Sequence, residues 1–281
     1  MMQITNNYNL PEQIVKAVTF STRAPIDNTI GVTELIGPAW IRKLKREHWA
    51  ELSEDASDRL WALLGQSVHY VVEKHELTNS ISEERLSAEI GGYTITGQAD
   101  NYNGDKHAIE DWKVTSVWSF LSGVRAEWEA QLNIYAHLWR MNGFEVSALN
   151  INAILRDWQA GRAHDDDYPA IPFLVVPVPV WPAERIEAYI SGRIAAHNNP
   201  APCTPDERWQ KGDVWAVMKE GRKSAVKLHE LENTANKHAE ELGAKHSVVK
   251  RPGECTRCKS YCPVRRFCEH NTHKGEIENG D

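Results

Sequence analysis

From Ala56 to Leu77 the chain places Leu60, Leu63, Leu64, Val68, Val71 and Val72 three and four residues apart, with polar residues between them. Positions so spaced share one face of a helix, and the pattern predicts an amphipathic one. Two strand-like runs follow in TITGQADNYNGDKHAIEDWKVTS, broken at Asn103-Gly104, a hairpin signal. Val117 to Asn142 reads as a second long helix, stopped by Gly143. Shorter helices are expected around Pro38 to Glu51 and from Pro182 to His197. Between them YPAIPFLVVPVPVWPAE suggests an edge strand, because proline cannot donate to a central ladder. No internal repeat, Gly-rich phosphate loop or ATPase signature is visible.

The candidate chemistry lies in the hairpin. Asp100 is followed, eleven residues later, by Asp111-Trp112-Lys113. Side chains alternate along a strand, so parity decides which of these meet. With Asn103 to Lys106 as a four-residue loop, Asp100 lies opposite Ile109, and Asp111 and Lys113 share its face. The two carboxylates are then offset by about 7 Å. One divalent ion, Mg²⁺ or Mn²⁺, fits between such carboxylates, with the Trp112 carbonyl as a further oxygen ligand. There it would polarise a phosphodiester and lower the pKa of an attacking water. Lys113 would orient that water or offset charge on the phosphate. The bland reading is an acidic surface hairpin. His69 and Glu73, with Gln66 nearby, share a stripe of the first helix, and His69 is a plausible extra ligand. Gln131 and Tyr135 are likewise four apart on the second helix.

In order, GQSVHYVVE, GQAD, EDWK and QLNIY resemble the RecB-like branch of the PD-(D/E)XK nuclease superfamily, over roughly residues 55 to 140. The resemblance implies an α/β fold, a mixed central sheet flanked by helices, and a hydrolytic metal site. It carries over His69, Asp100, Asp111 and Lys113 as that site, with Gln131 and Tyr135 as an accessory motif. Glu110 competes with Asp111 for the acidic position, and parity favours Asp111.

Five cysteines form the second constellation, four of them within CTRCKSYCPVRRFC. MMQITNNYNLPEQ lacks a secretory signal, so metal binding is preferred over disulfides. Thiolates this close suit Zn²⁺ or an iron–sulfur cluster. Relatives that look like phage exonucleases match through PCTPDERW and RCKSYCPVRRFC. That match implies Cys203, Cys258, Cys262 and Cys268 as ligands of a [4Fe–4S] cluster, with Cys255 as the alternative ligand. Zinc, with His270 as a substitute ligand, is the competing occupant.

Composition refines the picture. A chain of 281 residues, 41% hydrophobic, can bury a full core. No apolar run approaches the roughly twenty residues a membrane crossing needs, so a cytoplasmic protein without a membrane partner is expected. A net charge of −7 argues against a generally basic DNA-coating protein. Local basic clusters, Lys219 to Lys227 and Lys250 to Arg266, suit DNA phosphates. The expected organisation is lead-in helices over 1–54, the nuclease core over 55–200, and a cysteine-rich, metal-bound lobe over 201–281, packed on the core and ending in a mobile tail. The resulting expectation is a divalent-metal-dependent DNase, more an exonuclease than an endonuclease, with a recombination or single-strand-binding protein as the kind of partner implied. A non-catalytic DNA-binding subunit with the same fold and cluster, or a zinc-stabilised interaction protein, are the alternatives. Degradation of labelled DNA that depends on divalent metal separates them.

Overall fold

A computed structural model describes residues 2–19, 24–75, 77–121, 123–271 and 273. The expected mobile tail lies largely outside them. The chain divides into two compact units, Met1–Ala201 and Pro202–Asp281.

The first unit runs in the order β1 (Gln3–Thr5), α1 (Glu12–Thr19), β2 (Thr29–Gly31), α2 (Val32–Ile36), α3 (Ala39–Glu47), β3 (Ser53–Asp55), α4 (Leu60–Glu73), β4 (Ser80–Ser82), β5 (Arg85–Ile90), β6 (Tyr93–Gln98), β7 (Asn101–Asn103), β8 (Ala108–Thr115), α5 (Trp118–Leu121), α6 (Ala126–Met141), β9 (Ala148–Leu155), β10 (Phe173–Val178) and α7 (Ala183–Asn198). Five strands form a mixed sheet in the order β10-β9-β8-β7-β4. Only β8 and β9 are parallel there. Parallel neighbours need a crossover, and α6 supplies it. Leu149, Ile151, Ala153 and Leu155 alternate inward on β9, and Ile134, Leu138 and Trp139 of α6 join them in the core. A separate sheet, β2-β6-β5, continues the chain side of β6. Pro177 lies on β10, which pairs with β9 alone, as an edge strand should.

Three sequence expectations need correction. The second long helix is broken into α5 and α6, because Gly123 sits at φ +90°, a left-handed position that ends a helical run. The first helix opens as a 3₁₀ turn over Ala56–Arg59, capped by Asp55, and ends at Glu73. Its apolar stripe is covered only in part: Leu63, Val68 and Val72 are half-buried, no residue of α4 is fully buried, and Leu60, Leu64 and Val71 face solvent. The hairpin register also differs. Tyr102 faces Ile109 and Asn103 faces Ala108, so the loop is Gly104 to His107. Asn103 stays in the strand because its side chain accepts the Lys106 N–H at 3.2 Å. Gly104 packs against Asn79, whose side chain a Cβ would meet at 2.7 Å. Parity survives the shift, but Asp100 moves level with Asp111, removing the expected offset.

The second unit holds an antiparallel sheet, β12 (Lys227–His229), β11 (Val214–Lys219) and β13 (His246–Arg251), with α8 (Glu232–Leu242) on one face. Ala235 and Ala239 of α8 pack on Val217, Trp215 and Val248. A π-helical turn over Arg257–Tyr261 follows.

Candidate active site

The chain leaves the three-stranded sheet at Gln98 and enters the five-stranded one at Asn101, and Asp100 occupies the step between. Its Oδ2 accepts the Trp112 N–H at 2.6 Å. The Asp100 carbonyl accepts the N–H of Glu83, whose φ of +54° turns the chain between β4 and β5. Glu83 Oε2 takes a 2.6 Å bond from the Gln98 amide. His69 reaches in from α4. Its Nε2 lies 3.1 Å from the Trp112 carbonyl, which can only accept, so that nitrogen carries the proton. Nδ1 faces Glu83 Oε1 at 3.5 Å and Asp100 Oδ1 at 3.4 Å. Ligand atoms of His69, Glu83 and Asp100 lie within 4.8 Å of one another, the one such trio among the described residues.

Asp111 and Lys113 stand beside this trio on β8. Asp111 is 1% exposed, and the Lys113 ammonium is paired with its Oδ2. Glu110 turns to the other face, where it meets Asn101 at 3.0 Å and Lys106 at 3.5 Å. On α6 the Gln131 amide donates to the Tyr135 hydroxyl at 2.9 Å. Tyr135 comes close because β6 carries Gly97: a Cβ there would lie 2.7 Å from Leu138 and 2.9 Å from Tyr135. The glycine of GQAD is therefore a packing requirement. Burial pushes the Tyr135 hydroxyl up to about 12, helped by the charges of Asp111 and Asp100.

The electrostatics mark a site short of positive charge. Burial, then the neighbouring Asp111 charge, raises Asp100 to about 7. The bond to Glu83 raises His69 against the effect of burial, and the same bond lowers Glu83. Two crowded carboxylates, an imidazole and a peptide carbonyl form an oxygen-rich donor set that fits a hard divalent cation.

The structure thus brings together His69, Asp100, Trp112, Asp111, Lys113, Gln131 and Tyr135. Glu73 is exposed at the end of α4, and Gln66 lines a cavity of 240 Å³ shared with Glu54, Asp58 and Arg59. Glu83 was not foreseen. It belongs to no spaced motif, and only its pairing with Gln98 and His69 in space singles it out.

In the second unit no disulfide joins any of the five cysteines. The segment Cys203 to Lys211 is zipped to Glu254–Arg257: Lys211 N–H bonds Glu254 O, Gln210 bridges Cys255, and Arg257 N–H bonds Arg208 O. Arg208 also holds the Cys203 carbonyl at 2.9 Å. Burial pushes the Cys203 thiol up to about 12, with added contributions from Glu207, Cys262, Cys268 and Cys258. Burial likewise raises Cys258 and Cys262. The sulfurs do not close into a coordination-sized trio like that of His69, Glu83 and Asp100.

Asp111 and Lys113 lie side by side on β8, a central strand of the mixed sheet, with Asp100 at the step into it. The family model of the PD-(D/E)XK nuclease superfamily matches residues 20–269, and the chain belongs to that superfamily. Its members use divalent metals. No curated protein matches the chain. Among solved structures, SSO0001 is similar at 21% identity and a TM-score of 0.50, over 70% of this chain and 89% of that one. A phage related exonuclease from Haemophilus somnus 129PT is similar at 17% identity and 0.37, over 60% and 91%. An alkaline exonuclease, LHK-Exo, from Laribacter hongkongensis is similar at 12% identity and 0.39, over 67% and 93%. At these identities the likeness concerns fold alone. Among the described residues no helix is long and apolar enough to cross a membrane.

Proposed function

We propose that the chain is a RecB-like, divalent-metal-dependent DNA nuclease acting as an exonuclease. The observation that carries this is the Lys113–Asp111 pair set beside the His69–Glu83–Asp100 trio. His69, Glu83, Asp100, Asp111 and the Trp112 carbonyl would hold Mg²⁺ or Mn²⁺. Such an ion, when bound, supplies Lewis-acid polarisation of the phosphate and a more acidic water. Lys113 would face the scissile phosphate and offset its growing charge. Gln131 and Tyr135 would hold the carboxylates from behind. Exonuclease action is favoured by the resemblance to phage exonucleases in PCTPDERW and RCKSYCPVRRFC.

The same resemblance favours a metal centre on Cys203, Cys258, Cys262 and Cys268. Buried thiols that raise one another's pKa are the kind of donors a cation relieves. A [4Fe–4S] cluster is the preferred occupant, and zinc the alternative.

The test compares labelled circular DNA with linear DNA, free or blocked at its ends, with Mg²⁺, Mn²⁺ or EDTA. Divalent-dependent loss of free-ended linear DNA alone supports the reading. Cleavage of circles assigns an endonuclease. Binding without cleavage in either metal assigns a non-catalytic DNA-binding subunit.

A further inference from the structure

We propose that Trp61 and Trp118, each with an arginine against its ring, form a platform that stacks the unpaired bases of a single DNA strand leading to the site. This rests on the nuclease reading and deepens it by naming the form of substrate. Both indoles are largely in water, Trp61 at 66% and Trp118 at 62% exposure, whereas Trp139 and Trp181 of the same unit are buried. Arg156 lies 4.4 Å from the centroid of Trp61. Arg162 lies 5.6 Å from that of Trp118 and 4.4 Å from that of Tyr168.

These groups gather where β8 and β9 end. The Arg156 N–H donates to the Thr115 carbonyl at 2.9 Å, two residues beyond Lys113. The next residue, Asp157, accepts the Val117 N–H at 2.8 Å and the Ser116 hydroxyl, which fixes the start of α5 and therefore Trp118. Trp61 sits on α4 two helical turns before His69. An aromatic face stacks any base, and a guanidinium on it adds attraction for phosphates. Cations beside exposed rings match a strand that offers phosphates and bases together, while a duplex keeps its base faces hidden in its own stack. Arg162 also pairs with Asp165 at 2.8 Å, so Arg156 carries the larger share of the phosphate attraction.

The experiment measures binding of a fluorescent oligo(dT) and of a blunt hairpin duplex to the full chain in EDTA, where cleavage plays no part. Trp61→Ala and Trp118→Ala should each weaken oligo(dT) binding roughly 5- to 100-fold and leave the duplex nearly unaffected. Trp61→Phe should retain most of the affinity. Arg156→Gln should weaken it and lower the log–log salt slope by about one. Exposed rings contribute little to folding, and unchanged melting temperatures would confirm this. Unchanged oligo(dT) affinity in both alanine variants, equal losses on duplex, or no oligo(dT) binding by the unaltered chain would each overturn the platform. A change of oligomeric state with constant affinity would overturn it too, assigning this face to a second copy. Tight binding without cleavage in Mg²⁺ or Mn²⁺ would instead sink the nuclease reading and leave the platform standing.

Discussion

Asp100 accepts the backbone N–H of Trp112 at 2.6 Å, while the carbonyl of the same tryptophan meets His69 Nε2 at 3.1 Å. One backbone position of β8 therefore fixes both the carboxylate from the sheet junction and the imidazole from α4. Its sequence neighbours, Asp111 and Lys113, form an ion pair beside them.

The Asp111–Lys113 pair is buried unequally, with side-chain exposures of 2% and 21%. Removing the lysine leaves a buried carboxylate uncompensated, which costs on the order of 3 kcal/mol. Removing the carboxylate's charge does not. Asp111→Asn and Lys113→Ala should both lower cleavage by at least about 100-fold. Only Lys113→Ala should lower the denaturation midpoint markedly, and the double variant should regain most of that loss. Equal stability of the two single variants would refute the argument.

Gly97→Ala should cost about 1–3 kcal/mol, since the new methyl enters the space of Leu138 and Tyr135. Cleavage should fall with it, because Tyr135 is driven away from the carboxylates. Chemical denaturation and single-turnover cleavage measure the two effects separately. Tyr135→Phe keeps the packing but strands the Gln131 amide, so it should cost about 1 kcal/mol.

Asp55 predicts an acid-sensitive contact. Bonds from Asn7 N–H at 2.7 Å, Ser57 N–H at 3.0 Å and the Thr5 hydroxyl at 2.9 Å hold its carboxyl well below the ordinary 3.8. Because the folded value is depressed, the stabilisation is complete above pH 3.8 and fades as pH falls further. Asp55→Ala should thus be less stable than the unaltered chain near neutrality. The difference should shrink in acid, as followed by denaturant midpoints across pH. A constant difference would exclude this linkage.

For the cysteines, Cys203→Ser, Cys258→Ser, Cys262→Ser and Cys268→Ser should each lose the metal of anaerobically purified protein. Cys255→Ser should keep it. Iron and zinc per chain are the readout. Loss should also make the second unit the first to be cut by protease, because binding energy here is folding energy. Retention by Cys203→Ser together with loss by Cys255→Ser would reverse the ligand choice.

Much of the candidate site's geometry is legible in the sequence because parity and order are local properties. Asp111 and Glu110 are adjacent in sequence, yet alternation along β8 alone sends the second toward Asn101 and Lys106. The hairpin register differs from the expected one by two positions, because Asn103 serves better as the last strand residue than as a loop opener. Glu83 escaped notice because its position depends on a left-handed turn and on Gln98, a strand away. The partial cover of the α4 stripe is not legible either: spacing shows that apolar residues share a face, not how much of that face another element covers.

The junction at Asp100 has a mechanical consequence. Two covalent paths join the three-stranded and five-stranded sheets, one through Glu83 and Glu84 between β4 and β5, the other through Ala99 and Asp100 between β6 and β7. Glu83 and Asp100, two carboxylates of the trio, thus sit one on each crossing, so the placement of the two sheets and the spacing of these groups are set together.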